Sequence, residues 1–404
     1  MPTRKHYLIP LITATYVLLL FVGSIYPFTS WQWPTHDNWL NSFENATRYV
    51  PRSDFIINYL IYVPLGILVS IQLRDRVNYH LLLIVSASIA AGFGLAMEML
   101  QLFIPSRAHS FIDLIMNTSG AFTGALLHHL TKKHSTLGKH LRNMRYKWFL
   151  HGRYTELGLV TIALWALSEI SPLAPALSYE IISQDYSHFM STLLVSSQWD
   201  SFKIIAFAFE IFALFLITEF ILINKATSLY VFGTFAGVII YMKLPVADTQ
   251  LTPEFFWGLI AGIALYFSTQ AKSIELRTKL VMYALFLAYL INELNHPVQI
   301  LADEFNWLPF DSDEKRINRV TEILNIAWIF LALSFFTLSI KQVMVKRNGV
   351  IGLFVVGVIA FSLEWQQQTL QNTSADITDV LIAMFAWALP YFHPEIQRGI
   401  KLKQ

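Results

Sequence analysis

Glu98 and Gln101 stand three residues apart, Asp113 and Asn117 stand four apart, and Arg107 lies between the two pairs, all within EMLQLFIPSRAHSFIDLIMN. On α-helices each pair shares one face. If a short turn joins the two helices, four hydrogen-bonding side chains converge beneath a guanidinium. Three kinds of chemistry suit that set. Arg107 can neutralise Asp113 or Glu98 and pin a hairpin while the amides satisfy helix ends. The group can instead bind a polar headgroup, glycan or phosphate, with Arg107 as the anion contact. The two carboxylates can also serve as general acid and base, with His109 a conceivable proton carrier. No nucleophile elbow, Gly-rich phosphate loop or metal-ligand cluster accompanies them, so no cofactor and no metal is expected.

The chain that must position these residues is mostly oil. It has 404 residues, 55% hydrophobic and 14% charged, where a soluble domain carries about a quarter charged. Apolar runs of about 20 residues recur along it, long enough to cross a bilayer as helices. The expected fold is all-α, a polytopic transmembrane helical bundle of about twelve spans: 7–26, 54–73, 80–104, 112–130, 155–173, 202–224, 228–245, 254–271, 280–299, 319–340, 350–368 and 376–393. The first run follows Arg4 and Lys5, exceeds a signal-peptide core in length and lacks a small-x-small cleavage site, so it reads as a retained helix. The absence of cysteine excludes disulfides, thiolate catalysis and Cys-bound metal.

Placing the N-terminus inside puts 21 of the 29 Lys and Arg in cytoplasmic segments, the bias that sets orientation in membrane proteins. Both termini then face the cytoplasm, and 98–117 lies at the outer surface around the turn between spans three and four. Because the basic residues follow membrane sidedness, membrane lipids are the expected partners and nucleic acid is not. Segment 131–153 is strongly basic, with Leu137, Leu141, Met144 and Trp148 at helical spacing. It reads either as a plain topology anchor or as a short amphipathic helix on anionic lipid. Trp31, Trp33, Trp39, Trp307 and Phe310 in the outer loops read as membrane-belt aromatics or as sugar-stacking rings.

The motif has an echo, EWQQQTLQNTSADITDVLIA. Glu364, Gln367 and Asp379 repeat the spacing of Glu98, Gln101 and Asp113, while Arg52 and Asn58 are repeated by Arg319 and Asn325. The repeat divides the chain into a four-span unit at 1–130, the linker 131–153, a middle four-span block at 154–271 and a C-terminal unit at 272–404. In the second copy Thr373 replaces Arg107 and Ala383 replaces Asn117. Other acids fall inside spans: Glu169, Glu210, Glu219 and Glu293, the last with His296 near it. They either pair locally or line a proton or ion route, as a transporter would need.

NYLIYVPLG at 58–66, EMLQLFIPSR at 98–107 and DLIMNTSGAFTG at 113–124 together resemble the VanZ-like family, in order and in its four-span arrangement. The resemblance implies that Asn58, Pro64, Gly66, Glu98, Gln101, Arg107, Asp113, Asn117, Gly120 and Gly124 fill the family's characteristic positions. Gly120 and Gly124 form a G-x-x-x-G, which lets another helix approach closely; Pro64 and Gly66 would loosen or kink span two. The family takes its name from a teicoplanin-resistance protein of the bacterial envelope. The implied setting is the bacterial inner membrane, and the resemblance carries no established activity; the clustered polar set together with it suggests binding of a lipid-linked or glycan ligand at the outer face. A membrane-embedded enzyme using Glu98 and Asp113 and a transporter are the competing readings.

Overall fold

The computed structural model describes residues 13–14, 16–17, 20–21, 24–25, 31–33, 52–73, 76–104, 111–131, 135–170, 179–195, 197, 199–243, 251–294, 305–307, 309, 316–340, 345–367 and 375–392. The protein is all-α. We number its helices α1 (Arg52–Leu73), α2 (Tyr79–Gln101), α3 (Phe111–Leu130), α4 (Thr136–Trp148), α5 (Arg153–Ile170), α6 (Tyr179–Thr192), α7 (Ser201–Ile221), α8 (Ser228–Lys243), α9 (Pro253–Thr269), α10 (Ile274–Leu294), α11 (Arg316–Ser339), α12 (Val345–Gln367) and α13 (Ile377–Ala388). Each expected segment from 54 onward overlaps one of these helices; segment 7–26 is described only at scattered positions. Among the described residues five stretches are long and apolar enough to cross a membrane by length and composition: Tyr79–Gln101, Ser201–Ile221, Lys225–Lys243, Thr321–Ser339 and Arg347–Gln367.

The chain divides into two compact units, Met1–Arg145 and Tyr146–Gln404. In the first, α1 lies directly against α3. A Cβ placed on Gly66 would overlap the Ala121 carbonyl, one on Gly120 the Tyr59 carbonyl, and one on Gly124 the Val63 carbonyl. The two backbones therefore touch wherever glycine permits it, and the contact runs the length of both helices. Packing of this kind drives helix association where lipid removes the hydrophobic contrast. Pro64 does not break α1, which continues from Arg52 to Leu73. Asn78 caps α2, its side chain accepting from the Leu81 amide at 2.9 Å. Ser70 and Ser86 pair across α1 and α2 at 3.3 Å. The preceding segment is tied to α1 by the Tyr16 hydroxyl, which donates to the Ile61 carbonyl at 2.6 Å. Leu81, Ile84, Ile89, Leu95 and Met99 point outward from α2, an arrangement suited to acyl chains rather than water.

The second unit is built round α7. Nearly three quarters of its apolar window, 72%, is buried. A single apolar core runs from Leu157 and Trp165 on α5 through Phe212 to Ile217 on α7 to Trp328 on α11 and Trp387 on α13. Asp200 caps α7 by accepting from the Phe202 and Lys203 amides at 2.9 and 3.3 Å. Glu254, in the first turn of α9, accepts from the Asp200 amide at 3.1 Å and so locks the starts of the two helices together.

Helix α6 forms where the sequence suggests only a long outer loop. Two indole anchors hold the turn at its end: Trp199 Nε1 donates to the Thr192 carbonyl at 3.0 Å, and Trp257 Nε1 to the Leu193 carbonyl at 3.2 Å. Its length and weak apolarity hide it from a hydropathy reading.

Candidate functional site

Glu98 and Gln101 end α2, and Asp113 opens α3, where a carboxylate also meets the positive end of the helix dipole. Asn117 follows one turn later. Gly94 makes room for it: a Cβ on Gly94 would sit 3.3 Å from Asn117 Nδ2. The two helices thus bring three of the expected groups, Glu98, Asp113 and Asn117, to one end of the unit. Arg107 and His109 lie outside the described residues.

The arrangement separates roles that one motif would have lumped together. Gln101 turns to the preceding segment, its Nε2 donating to the Ser24 carbonyl at 2.8 Å. It fastens the first segment to α2. Asn117 is buried, only 6% exposed, and its Oδ1 has no hydrogen-bond partner among the described residues. A buried amide oxygen left unpaired costs on the order of 1–3 kcal/mol. Glu98 and Asp113 are half-buried. Asn58 is half-buried on α1, while Gly66, Gly120 and Gly124 belong to the α1–α3 contact and support the site from behind.

Tyr62 joins the set without having been anticipated. It is 2% exposed and lies within electrostatic reach of Glu98, Asp113 and Tyr16. Its one sequence signal is the four-residue step from Asn58, which puts both on the same face of α1. Above the end of α2 the backbone of Gln32 donates to the Phe103 carbonyl at 2.9 Å. Trp33 packs edge-on to Phe103 with ring centroids 5.5 Å apart, and Trp31 lies tilted against it at 6.3 Å. Trp39 and Phe310 lie outside the described residues.

In the second unit the residues that repeat the Glu98 and Asp113 spacing are shut in. Glu364 is 1% exposed and Asp379 2%. Glu364 Oε2 accepts from the Asp376 amide at 3.1 Å, and Gln367 Nε2 donates to Glu293 on α10 at 2.6 Å. Ala383, in the place of Asn117, is fully buried. Tyr289 lies within reach of Glu364 and Asp379, as Tyr62 does of Glu98 and Asp113. Thr373 and His296 lie outside the described residues.

The remaining acids pair locally. Lys243 Nζ meets Glu169 at 2.5 Å, and Asn292 donates to Glu210 at 3.1 Å. Arg277 grips Glu219 with two nitrogens at 2.7 and 3.3 Å, and the Tyr266 hydroxyl adds a bond at 2.8 Å. Among the described residues no group of three or more His, Asp or Glu is placed to hold a metal ion.

Residues 9–132 match the VanZ/LLP1 family model, which covers the first unit's helices through α3 and less than a third of the chain. Among curated proteins and among solved structures nothing matches. The N-terminal region is thus similar to the VanZ/LLP1 family, and with the apolar helices the match suggests a membrane protein.

Proposed function

We propose that the VanZ/LLP1-type unit binds a lipid-linked or glycan-type ligand at the outer face of a bacterial inner membrane. Twelve crossings with both termini in the cytoplasm would place the ends of α2 and α3 on that face, in keeping with the distribution of Lys and Arg. The observation that carries the reading is the buried Asn117 Oδ1, which has no hydrogen-bond partner among the described residues and lies on the same helix pair as the half-buried Glu98 and Asp113. An unsatisfied buried acceptor suits a ligand rich in hydroxyl or ammonium donors. Arg107, on the intervening turn, would take its phosphate or carboxylate. The second copy supports this by contrast. It keeps the acids, buries them and replaces the amide with alanine, as a structural relic of the same four-helix repeat would.

Native mass spectrometry of purified protein with co-isolated lipids tests the proposal. Arg107→Ala and Asp113→Asn are expected to weaken ligand retention about ten- to a hundredfold, the worth of one charge-assisted hydrogen bond, with Tm essentially unchanged. If retention survives both substitutions in folded protein, the site is lost. Asn117→Ala makes a sharper case. It removes an unpaired buried acceptor, so Tm is expected to hold or rise while ligand retention falls.

The proximity of Tyr62 to both carboxylates favours one second reading, acid–base turnover of the bound ligand. Glu98→Gln separates the two, because a carboxamide can hold a ligand and cannot shuttle a proton.

A further inference from the structure

Helix α4, in the basic linker, carries exposed apolar side chains among exposed polar and basic ones. Leu137, Leu141 and Met144 are 46%, 45% and 47% exposed. Their spacing of four and three places them on a single stripe, while Trp148 at the end of the helix is half-buried and stacks on Tyr230 with ring centroids 6.0 Å apart. Gly138 is buried and Arg142 and Arg145 are half-buried, so the helix already uses another face for packing. Lys139 and Lys147 are exposed, and TLGKHLRNMRYKW contains no acidic residue.

An apolar stripe of this size on a water-exposed helix would be a liability. Connections of a few residues tie both ends of α4 to apolar helices, α3 ending at Leu130 and α5 starting at Arg153. With α3 and α5 as the membrane spans expected at 112–130 and 155–173, neither connection can itself cross a bilayer, which needs about 20 helical residues, and α4 is held at one membrane surface. The positive-inside distribution makes that surface the cytoplasmic one, where anionic headgroups are the complementary charge.

We propose that α4 is an interfacial helix that lies on the cytoplasmic leaflet, with Leu137, Leu141 and Met144 sunk to the acyl boundary and its basic side chains on the phosphates of anionic phospholipid. The occupant of this face is the bilayer surface itself. This inference does not depend on the outer-face site.

The test is amide hydrogen exchange over 136–148 in the full-length protein, in nanodiscs of phosphatidylcholine alone and with phosphatidylglycerol added. Exchange is expected to slow about tenfold in the anionic discs. Lys139→Glu with Lys147→Glu should abolish that gain, since each lysine near an anionic surface is worth about a fivefold shift in occupancy. Both side chains are exposed, so Tm should not move. Leu141→Asp should remove protection in both discs. Equal exchange in the two lipids, or undiminished protection in the charge-reversed protein, would overturn the proposal and assign α4 to packing against protein.

Discussion

Gly124→Ala is expected to lower the melting temperature of the protein by several degrees, and Gly124→Leu to prevent the first unit from forming. The new methyl would occupy the position of the Val63 carbonyl oxygen, and the Ile67 amide nitrogen lies only 3.0 Å away. Backbone cannot swing aside as a side-chain tip can, so α1 must move off α3. Overpacking of a tight contact costs about 1–3 kcal/mol for a methyl and more for a larger group. Part of that would be offset by the roughly 1 kcal/mol by which alanine favours helix over glycine. The control is Gly92→Ala on α2, where nothing lies within 4 Å; there only the helix preference acts, and Tm should hold or rise. Thermal unfolding in one detergent compares the two. Equal behaviour at positions 92 and 124 would show that the helices do not meet as described.

Arg277→Met is expected to be the most damaging single change in the second unit. Arg277 and Glu219 are 5% exposed each and face each other with two hydrogen bonds. Removing the guanidinium leaves a buried carboxylate whose remaining described contacts are the Tyr266 hydroxyl and the exposed Lys225, 3.7 Å off. Losing one partner of a buried pair costs about 3–5 kcal/mol, whereas replacing both by apolar groups is often neutral. The double variant Arg277→Met, Glu219→Met should therefore recover most of the stability lost by the single change. Denaturation of the wild type and the three variants completes the cycle. No recovery in the double variant would mean that the pair is valued for something other than its mutual neutralisation.

These two cases mark what the sequence could and could not reveal. The G-x-x-x-G of α3 advertises a close helix contact because only packing explains two glycines one turn apart in an apolar span. It does not say which helix comes near; Val63 and Tyr59 emerge only from the fold. Arg277 reads as one more cytoplasmic charge beside Lys272 and Lys279, and Glu219 as an acid that either pairs locally or lines a route. Their pairing spans 58 residues of sequence, and nothing local in either helix announces it. Tyr62 was hidden for a different reason: a tyrosine in an apolar run looks like core filling until the carboxylates beside it are placed. The placement of Glu98 near the end of α2 and of Asp113 and Asn117 in the first turns of α3 was legible from helix periodicity. Gln101 shares their spacing yet points elsewhere, since a side chain three residues along can reach either of two neighbours.

The continuous core of the second unit has a consequence for biogenesis. A membrane protein is delivered to the bilayer from its N-terminus, and units fold as their parts arrive. The first unit has its packed helices α1 to α3 once α3 has emerged. The second has α5 and α7 in the bilayer early, yet Trp165 and Phe215 share their core with Trp328 and Trp387, which come off the ribosome last. During that interval the inner faces of α5 and α7 are exposed to lipid with their final partners not yet made. A premature stop before α11 would therefore leave two products of unequal fate in one chain: a finished N-terminal bundle, and an open half-core that the cell's quality-control proteases would recognise.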